Sequence, residues 1–203
     1  MSARPTDDRA GRVIAGTARG IRLVAPGDMT RPLSDRVKQT LFAILDPQLR
    51  EGAVLDLFAG SGAAGIESLS RGAASAVFVE RDRRAAATIR ENLARTRLAG
   101  PPAVVVETEA LAWLRSPDAD RAGPWDVVIV DPPYDQPDLL VAALERLGRT
   151  PRLVATNGIV MAKHFWRDQP PDQMGLLASE RVRRFGDTAL TFYRLANPAE
   201  AST

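Results

Sequence analysis

Asp56-Leu57-Phe58-Ala59-Gly60-Ser61-Gly62-Ala63-Ala64-Gly65 decides how the rest of the chain is read. The apolar run Ala53-Val54-Leu55 leads into it, and a stretch with helical spacing follows as far as Arg71-Gly72. A strand, a loop of the form G-x-G-x-x-G and a helix, in that order, build a ligand-binding turn. Glycines admit positive φ and let the backbone approach a bound molecule closely. Glu80 closes the next expected strand, where a carboxylate accepts from both hydroxyls of a ribose. A nicotinamide dinucleotide fits that pattern formally. Asp56 speaks against it, because a pyrophosphate in the loop would lie within several Å of its carboxylate. At an effective dielectric of about 20 that repulsion is a few kcal/mol. S-adenosylmethionine carries an ammonium and a sulfonium and no phosphate, so its charge suits the loop. A tight turn with no ligand is the third reading.

Outward from this loop the chain alternates. Strands are expected at 53–57, 76–80, 102–107, 126–130 and 158–162, and helices at 35–45, 83–97, around Leu111 and Leu114, and at 137–148. Two last strands, 180–185 and 188–195, flank Gly186-Asp187 with no helix between them. The expected fold is α/β and Rossmann-like: a mostly parallel seven-stranded sheet, helices on both faces, and an antiparallel C-terminal edge. Before it, Arg12-Val13-Ile14-Ala15-Gly16 and Gly20-Ile21-Arg22-Leu23-Val24 read as a small N-terminal β-hairpin extension. The expected division is 1–30 for the basic tail and hairpin, and 31–203 for the sheet domain.

Composition narrows the function. With 203 residues, 45% of them apolar and 26% charged, the chain suits one globular unit with a sizeable core. It has no cysteine, which removes disulfide scaffolds, cysteine nucleophiles, zinc fingers and iron–sulfur sites; no metal site is expected. The polar N-terminus lacks the apolar core of a signal peptide, and no apolar run reaches the roughly 18 residues of a membrane span. A cytoplasmic protein with no membrane contact is expected. The net charge is +2, but it is unevenly placed. Residues 1–40 hold eight basic groups against four acids, and the remainder nineteen against twenty-one. That asymmetry points to an N-terminal anion-binding surface.

Asp131-Pro132-Pro133-Tyr134 ends the fourth expected strand. In a doubly wound sheet the first and fourth strands are neighbours at the switch point, so Asp56 and Asp131 should stand side by side at one edge. An exocyclic amine on a base is a poor nucleophile, because its lone pair is delocalised into the ring. Two acceptors for its N–H groups, the Asp131 carboxylate and the Pro132 carbonyl, localise that lone pair. Pro133 stiffens the turn, and Tyr134 offers a flat face for an extruded base. The attacking nitrogen becomes cationic, so a carboxylate beside it lowers the barrier. The alternative is a proline turn with an incidental aspartate. Of the remaining loop residues, Phe58, Ala59, Gly60, Ser61 and Gly62 would surround the ligand, and Arg81 flanks Glu80. Glu109 is either an acceptor for an adenine amino group, with the Ala110 N–H beside it, or simply an acid at a helix N-terminus.

With these residues in hand, the chain resembles the RsmD-type methyltransferases. The resemblance covers roughly residues 12–194. It rests on Arg12-Val13-Ile14-Ala15-Gly16, Thr30-Arg31-Pro32, Asp35-Arg36-Val37, Leu41-Phe42, the stretches 56–65 and 67–72, Phe78-Val79-Glu80, 131–134, and Phe185-Gly186-Asp187-Thr188. It implies a class I methyltransferase that uses S-adenosylmethionine, with residues 31–203 as the methyltransferase domain. The implied reaction is methylation of the N2 amine of one guanine in 16S ribosomal RNA, presented in the 30S particle; the chain itself is expected to be a monomer. It also implies that Arg31 and Arg36 sit near the mouth of the site, where arginines neutralise phosphates; a salt bridge to Asp35 is the other reading. Arg12, Arg19, Arg22 and Lys38 complete the expected RNA-binding set.

At the end of the fifth strand the family often has an acid, whereas this chain has Lys163, followed by its single histidine, His164. Lys163 is read either as a phosphate contact or as a solvated side chain, and His164 as structural or peripheral. Two further functions compete with the leading one. A DNA adenine-N6 methyltransferase shares the 131–134 motif but usually needs a separate target-reading segment. A non-catalytic RNA-binding assembly protein would keep the fold without needing Asp131 and Tyr134.

Overall fold

The computed structural model describes residues 11–27 and 34–196. An eight-stranded sheet runs through the molecule in the order β3-β2-β1-β4-β5-β8-β7-β6. Strands β1 (Ala53–Asp56), β2 (Ser75–Glu80), β3 (Ala103–Glu107), β4 (Trp125–Val130) and β5 (Val154–Phe165) are parallel. Strands β7 (Leu177–Phe185) and β8 (Thr188–Leu195) form the antiparallel edge, with β8 paired to β5. The sheet thus has one strand more than the seven expected. The additional β6, Gln173–Met174, follows Pro170-Pro171 and is two residues long, too short for any alternation to show.

The strands alternate their side chains between two apolar layers. Val54, Phe78, Val127, Ile129, Met161 and Phe192 face one layer; Leu55, Val79, Val128, Val130, Val160 and Tyr193 face the other. Helices α1 (Asp35–Leu49), α2 (Ala63–Ser70) and α3 (Arg83–Thr96) cover the first layer with Leu41, Leu45, Ile66, Ile89 and Leu93. Helices α4 (Ala110–Leu114), α5 (Pro117–Ala122) and α6 (Pro137–Arg149) cover the second with Trp113, Leu114, Ala119, Leu140 and Leu144. Side chains that alternate along a strand and repeat at three and four along a helix are both buried by this arrangement of helices on the two faces of one sheet. None of the helices among the described residues is long and apolar enough to cross a membrane.

Helix α1 continues through Pro47, beyond the expected end at 45. Pro47 and Ala43, the residue whose carbonyl the missing N–H would have met, both lie on the exposed face, while Leu45 and Leu49 are buried. Water can satisfy that carbonyl, and the packing of Leu49 holds the last turn.

The expected N-terminal hairpin is present as one antiparallel bridge, Arg12 to Arg22, with cross-strand bonds from Leu23 N–H to Gly11 O, Val13 N–H to Ile21 O and Gly20 N–H to Val13 O. Further backbone groups of the segment are bound by helix residues. Glu67 of α2 is fully buried and accepts from the N–H groups of Ile14 (2.7 Å) and Ala15 (3.0 Å), and from Arg71 Nε (2.7 Å). Ser70 Oγ accepts from Ala18 N–H and donates to Ala15 O. Asn92 of α3 accepts from Val24 N–H and donates to Val24 O. Val13, Ala18 and Leu23 complete the attachment inside the first apolar layer.

Candidate active site

The carboxyl ends of β1, β2, β4 and β5 meet at one edge, and the loop after β1 is built from its own backbone. Gly60 and Gly62 have φ of 55° and 75°, which glycine adopts without strain. Gly65 lies so close to the Phe78 ring that a Cβ would sit 2.3 Å from a ring carbon, so the third glycine lets α2 settle on the sheet. Ala59 N–H donates to Val79 O at 3.1 Å, which ties the loop to β2.

Asp56 is 2% exposed, and its Oδ2 accepts from Gly65 N–H at 2.9 Å in the first turn of α2. Glu80 accepts from Gly60 N–H and from Asp82 N–H, both at 2.8 Å. Each expected ligand carboxylate therefore also shapes the loop. Burial pushes the Asp56 carboxyl up to about 7; the Gly65 N–H acts in the opposite direction, and the charges of Asp131 and Glu80 add to the rise. A Cβ built on Gly60 meets nothing within 4 Å, so the loop opens to space at its crown. Two carboxylates, Asp56 and Glu80, beside an open glycine crown fit a ligand that brings positive charge and disfavour a phosphate.

Phe58 and Ser61 are half-buried at the loop, and Ala59 is buried beneath it. Ser61 O accepts from the buried Asn92 Nδ2 at 2.9 Å. The same amide group holds Val24, so one side chain fixes both the loop and the N-terminal segment. Arg81 and Glu109 are exposed at the ends of β2 and β3 and lie 3.5 Å apart. Glu109 precedes α4 without capping it by a side-chain hydrogen bond, and Ala110 begins that helix.

Strands β1 and β4 pair directly, Asp56 opposite Ile129, so Asp131 stands beside the loop as the topology requires. Its carboxylate does not stand alone. Lys163 Nζ lies 2.7 Å from Oδ1 and donates to Oδ2 at 2.9 Å. Lys163 is 8% exposed, which excludes the solvated reading. Burial works against its charge, but Asp131, with Tyr134 adding, outweighs it, and the ammonium is held above the ordinary lysine range. Its Nζ also sits 4.8 Å from the centre of the Tyr134 ring. Tyr134 is 46% exposed, and its Oη shares a 2.9 Å hydrogen bond with Thr188 Oγ1 at the start of β8. Pro132 is buried and Pro133 exposed in the same turn. His164 is buried and bound to Phe165 O and Thr191 Oγ1, in agreement with a structural role.

The expected RNA-binding residues are placed differently from one another. Arg19, Arg22 and Arg36 are exposed, with no carboxylate partner among the described residues. Arg12 is exposed and paired to Asp35 at 2.8 Å, so the Asp35 bridge is made by Arg12 and not by Arg36. Lys38 is 3% exposed and donates to Arg12 O, which takes it out of the expected surface. Burial pulls its ammonium below the ordinary lysine range, with Glu67 and Asp35 acting the other way. Arg31 lies outside the described residues.

A family model described as conserved hypothetical protein 95 matches residues 11–194. The Bacillus subtilis protein YlbH is 35% identical over 184 residues, covering 90% of this chain and 98% of that one. The chain belongs to this family, the RsmD-type methyltransferases. Within the family, the ribosomal RNA small subunit methyltransferase D of Escherichia coli K12 is 41% identical over 124 residues, a match that spans 61% of this chain and 60% of that relative. The solved Escherichia coli family structure, yhhF, superposes with a TM-score of 0.79 at 32% identity and covers 91% of this chain and 97% of that one. A SAM-dependent methyltransferase from Agrobacterium tumefaciens, 16% identical with a TM-score of 0.63, shares the fold alone.

Proposed function

We propose that this methyltransferase moves a methyl group from S-adenosylmethionine to the exocyclic N2 amine of a guanine in 16S ribosomal RNA, within the 30S particle. The observation that carries the reading is the pairing of β1 with β4, which sets Asp131-Pro132-Pro133-Tyr134 beside the Asp56 loop. The name of the Escherichia coli relative supports the small-subunit RNA as substrate. In this reading Asp56 and Glu80 face the donor's positive and hydroxyl groups, Phe58 to Gly62 enclose it, and Glu109 with the Ala110 N–H meets its base. S-adenosylmethionine, when bound, supplies an electrophilic methyl group on its sulfonium. Asp131 and the Pro132 carbonyl accept from the two N–H groups of the target amine and hold its lone pair toward that methyl group. Tyr134 stacks the flipped base on the face that Lys163 leaves open. No strong base is needed, because the methylated ammonium is acidic enough to lose its proton afterwards. Arg12, Arg19, Arg22, Arg31 and Arg36 contact backbone phosphates. The test is nucleoside analysis of ribosomal RNA from cells lacking this chain. One N2-methylguanosine should be missing and return on complementation, whereas an unchanged nucleoside profile would overturn the reading.

Lys163 acts here as a positioning residue that fixes the Asp131 carboxylate. Lys163→Met is expected to lower kcat by about 10²-fold, the cost of a misaligned reacting group, with little change in the KM for RNA. Lys163→Arg should restore part of the loss. An unchanged kcat in Lys163→Met would remove this role.

The Asp56 carboxyl gives donor binding a pH dependence. The folded protein holds that proton more tightly than the unfolded chain, so this group's contribution to stability is largest in acid and falls as pH rises from about 4 to about 7. A cationic ligand favours the ionised form. Affinity for S-adenosylmethionine should therefore rise about tenfold between pH 6 and pH 8, read by titration calorimetry. Asp56→Asn should flatten the curve. A pH-independent affinity in the unsubstituted protein would contradict this account of the loop.

A further inference from the structure

At the end of β5, Trp166 carries two guanidinium groups. Arg184 Cζ lies 3.5 Å from the centre of one of its rings and Arg167 Cζ 4.9 Å. Both arginines are exposed, and neither has a carboxylate oxygen within salt-bridge distance among the described residues. Arg184 Nε donates to Gly186 O at 2.9 Å, which holds the guanidinium in place and leaves its terminal nitrogens without a partner among the described residues. Two guanidinium groups gathered on one indole, neither paired to a carboxylate among the described residues although Asp168 and Asp187 are neighbours in sequence, form a positive edge open to an anion. A guanidinium stacked by its face presents its N–H edge outward, in the fork geometry that binds a phosphate through two hydrogen bonds.

The position of this pair matters as much as its charge. The backbone N–H of Trp166 donates to Asp187 O at 3.1 Å, so the chain leaving β5 is tied to the turn between β7 and β8. Thr188, the next residue, pairs with Phe165 and shares the hydrogen bond with Tyr134 Oη. The stack thus stands on the same short, hydrogen-bonded scaffold as the tyrosine that receives the base. It lies where the end of β5 meets the β7–β8 pair, far along the chain from the N-terminal arginines in which the sequence concentrates its positive charge.

We propose that Trp166, Arg167 and Arg184 form a second RNA-binding site, which grips the phosphodiester backbone of the strand leaving the flipped guanine on the β7–β8 side. This rests on the reading of the chain as a ribosomal RNA methyltransferase. A clamp of this kind holds the nucleotides flanking the target so that the base stays out of its stack.

The test compares the full chain with Arg167→Gln/Arg184→Gln and with Arg167→Lys/Arg184→Lys. Binding to protein-free 16S ribosomal RNA and to 30S particles is measured from 50 to 300 mM KCl, and S-adenosylmethionine binding serves as a control for folding. The glutamine pair should bind RNA at least tenfold more weakly and lower the slope of log affinity against log salt by about 2, one for each phosphate that is no longer neutralised. The lysine pair should keep the slope but recover only part of the affinity, because a point charge replaces the stacked fork. Unchanged RNA affinity and slope in the glutamine pair would overturn the proposal. So would a loss seen with 30S particles but not with protein-free RNA, which would assign the patch to a ribosomal protein. An unsubstituted chain that binds neither RNA nor particle would overturn the methyltransferase reading itself, and the clamp with it.

Discussion

Asp131→Ala is expected to lower methyl transfer by about 10³-fold, the scale of losing a preorganised electrostatic partner for developing charge. The carboxylate is the one charged acceptor in the 131–134 turn, and in the proposed reaction the nitrogen it faces gains positive charge as the new bond forms. Removing it also frees Lys163, whose ammonium then stands uncompensated where positive charge must grow, so two effects add in the same direction. Donor binding should change little, because the loop after β1 is held by Glu80, Asn92 and its own backbone rather than by Asp131. Asp131→Asn keeps an acceptor oxygen and loses the charge, and should fall between the two. The measurement is single-turnover transfer from labelled donor alongside calorimetric donor binding. A variant that keeps a tenth or more of the rate would remove Asp131 from the chemistry.

The second large effect is on stability. Glu67→Ala is expected to cost about 3–5 kcal/mol, the scale for stripping one partner from a buried charged pair. Glu67 is fully buried, and its two oxygens take three donors: Ile14 N–H, Ala15 N–H and Arg71 Nε. Alanine leaves two backbone N–H groups and a guanidinium to find water. Glu67→Gln retains one acceptor oxygen and should lose about half as much. Urea unfolding gives the difference directly, and proteolysis should cut first in the N-terminal segment once it is released from α2. A loss below about 1 kcal/mol would show that the apolar contacts of Val13, Ala18 and Leu23 suffice to hold that segment.

What is legible in the sequence follows the range of the signal. Strand and helix alternation are local patterns, and the β1–β4 pairing follows from them by topology, so the meeting of Asp56 with Asp131 can be read from the residues alone. Lys163 is legible as a departure from the family but not as the partner of Asp131. The two are 32 positions apart on neighbouring parallel strands, and only the register of β4 on β5 brings them together. Asn92 is missed although it carries a signal of its own. It is a polar residue in phase with Ile89, Leu93 and Thr96 on the buried stripe of α3, a place that demands hydrogen-bond partners. The N-terminal hairpin is legible from its alternating apolar residues, but its attachment is not, because that runs through Glu67, Ser70 and Asn92, residues more than fifty positions away. Lys38 joins a basic cluster in the sequence and yet turns inward, because the Arg12 carbonyl, with Glu67 nearby, makes room for an ammonium inside.

The measurement that bears most directly on the central claim is transfer of a labelled methyl group from S-adenosylmethionine by the purified chain. It is offered separately to 30S particles lacking the modification, to protein-free 16S ribosomal RNA and to duplex DNA, with nucleoside analysis of each product. The account predicts N2-methylguanosine from the 30S sample and none from that sample with Asp131→Ala. Methyladenine from DNA, or no transfer to any of the three, would contradict it.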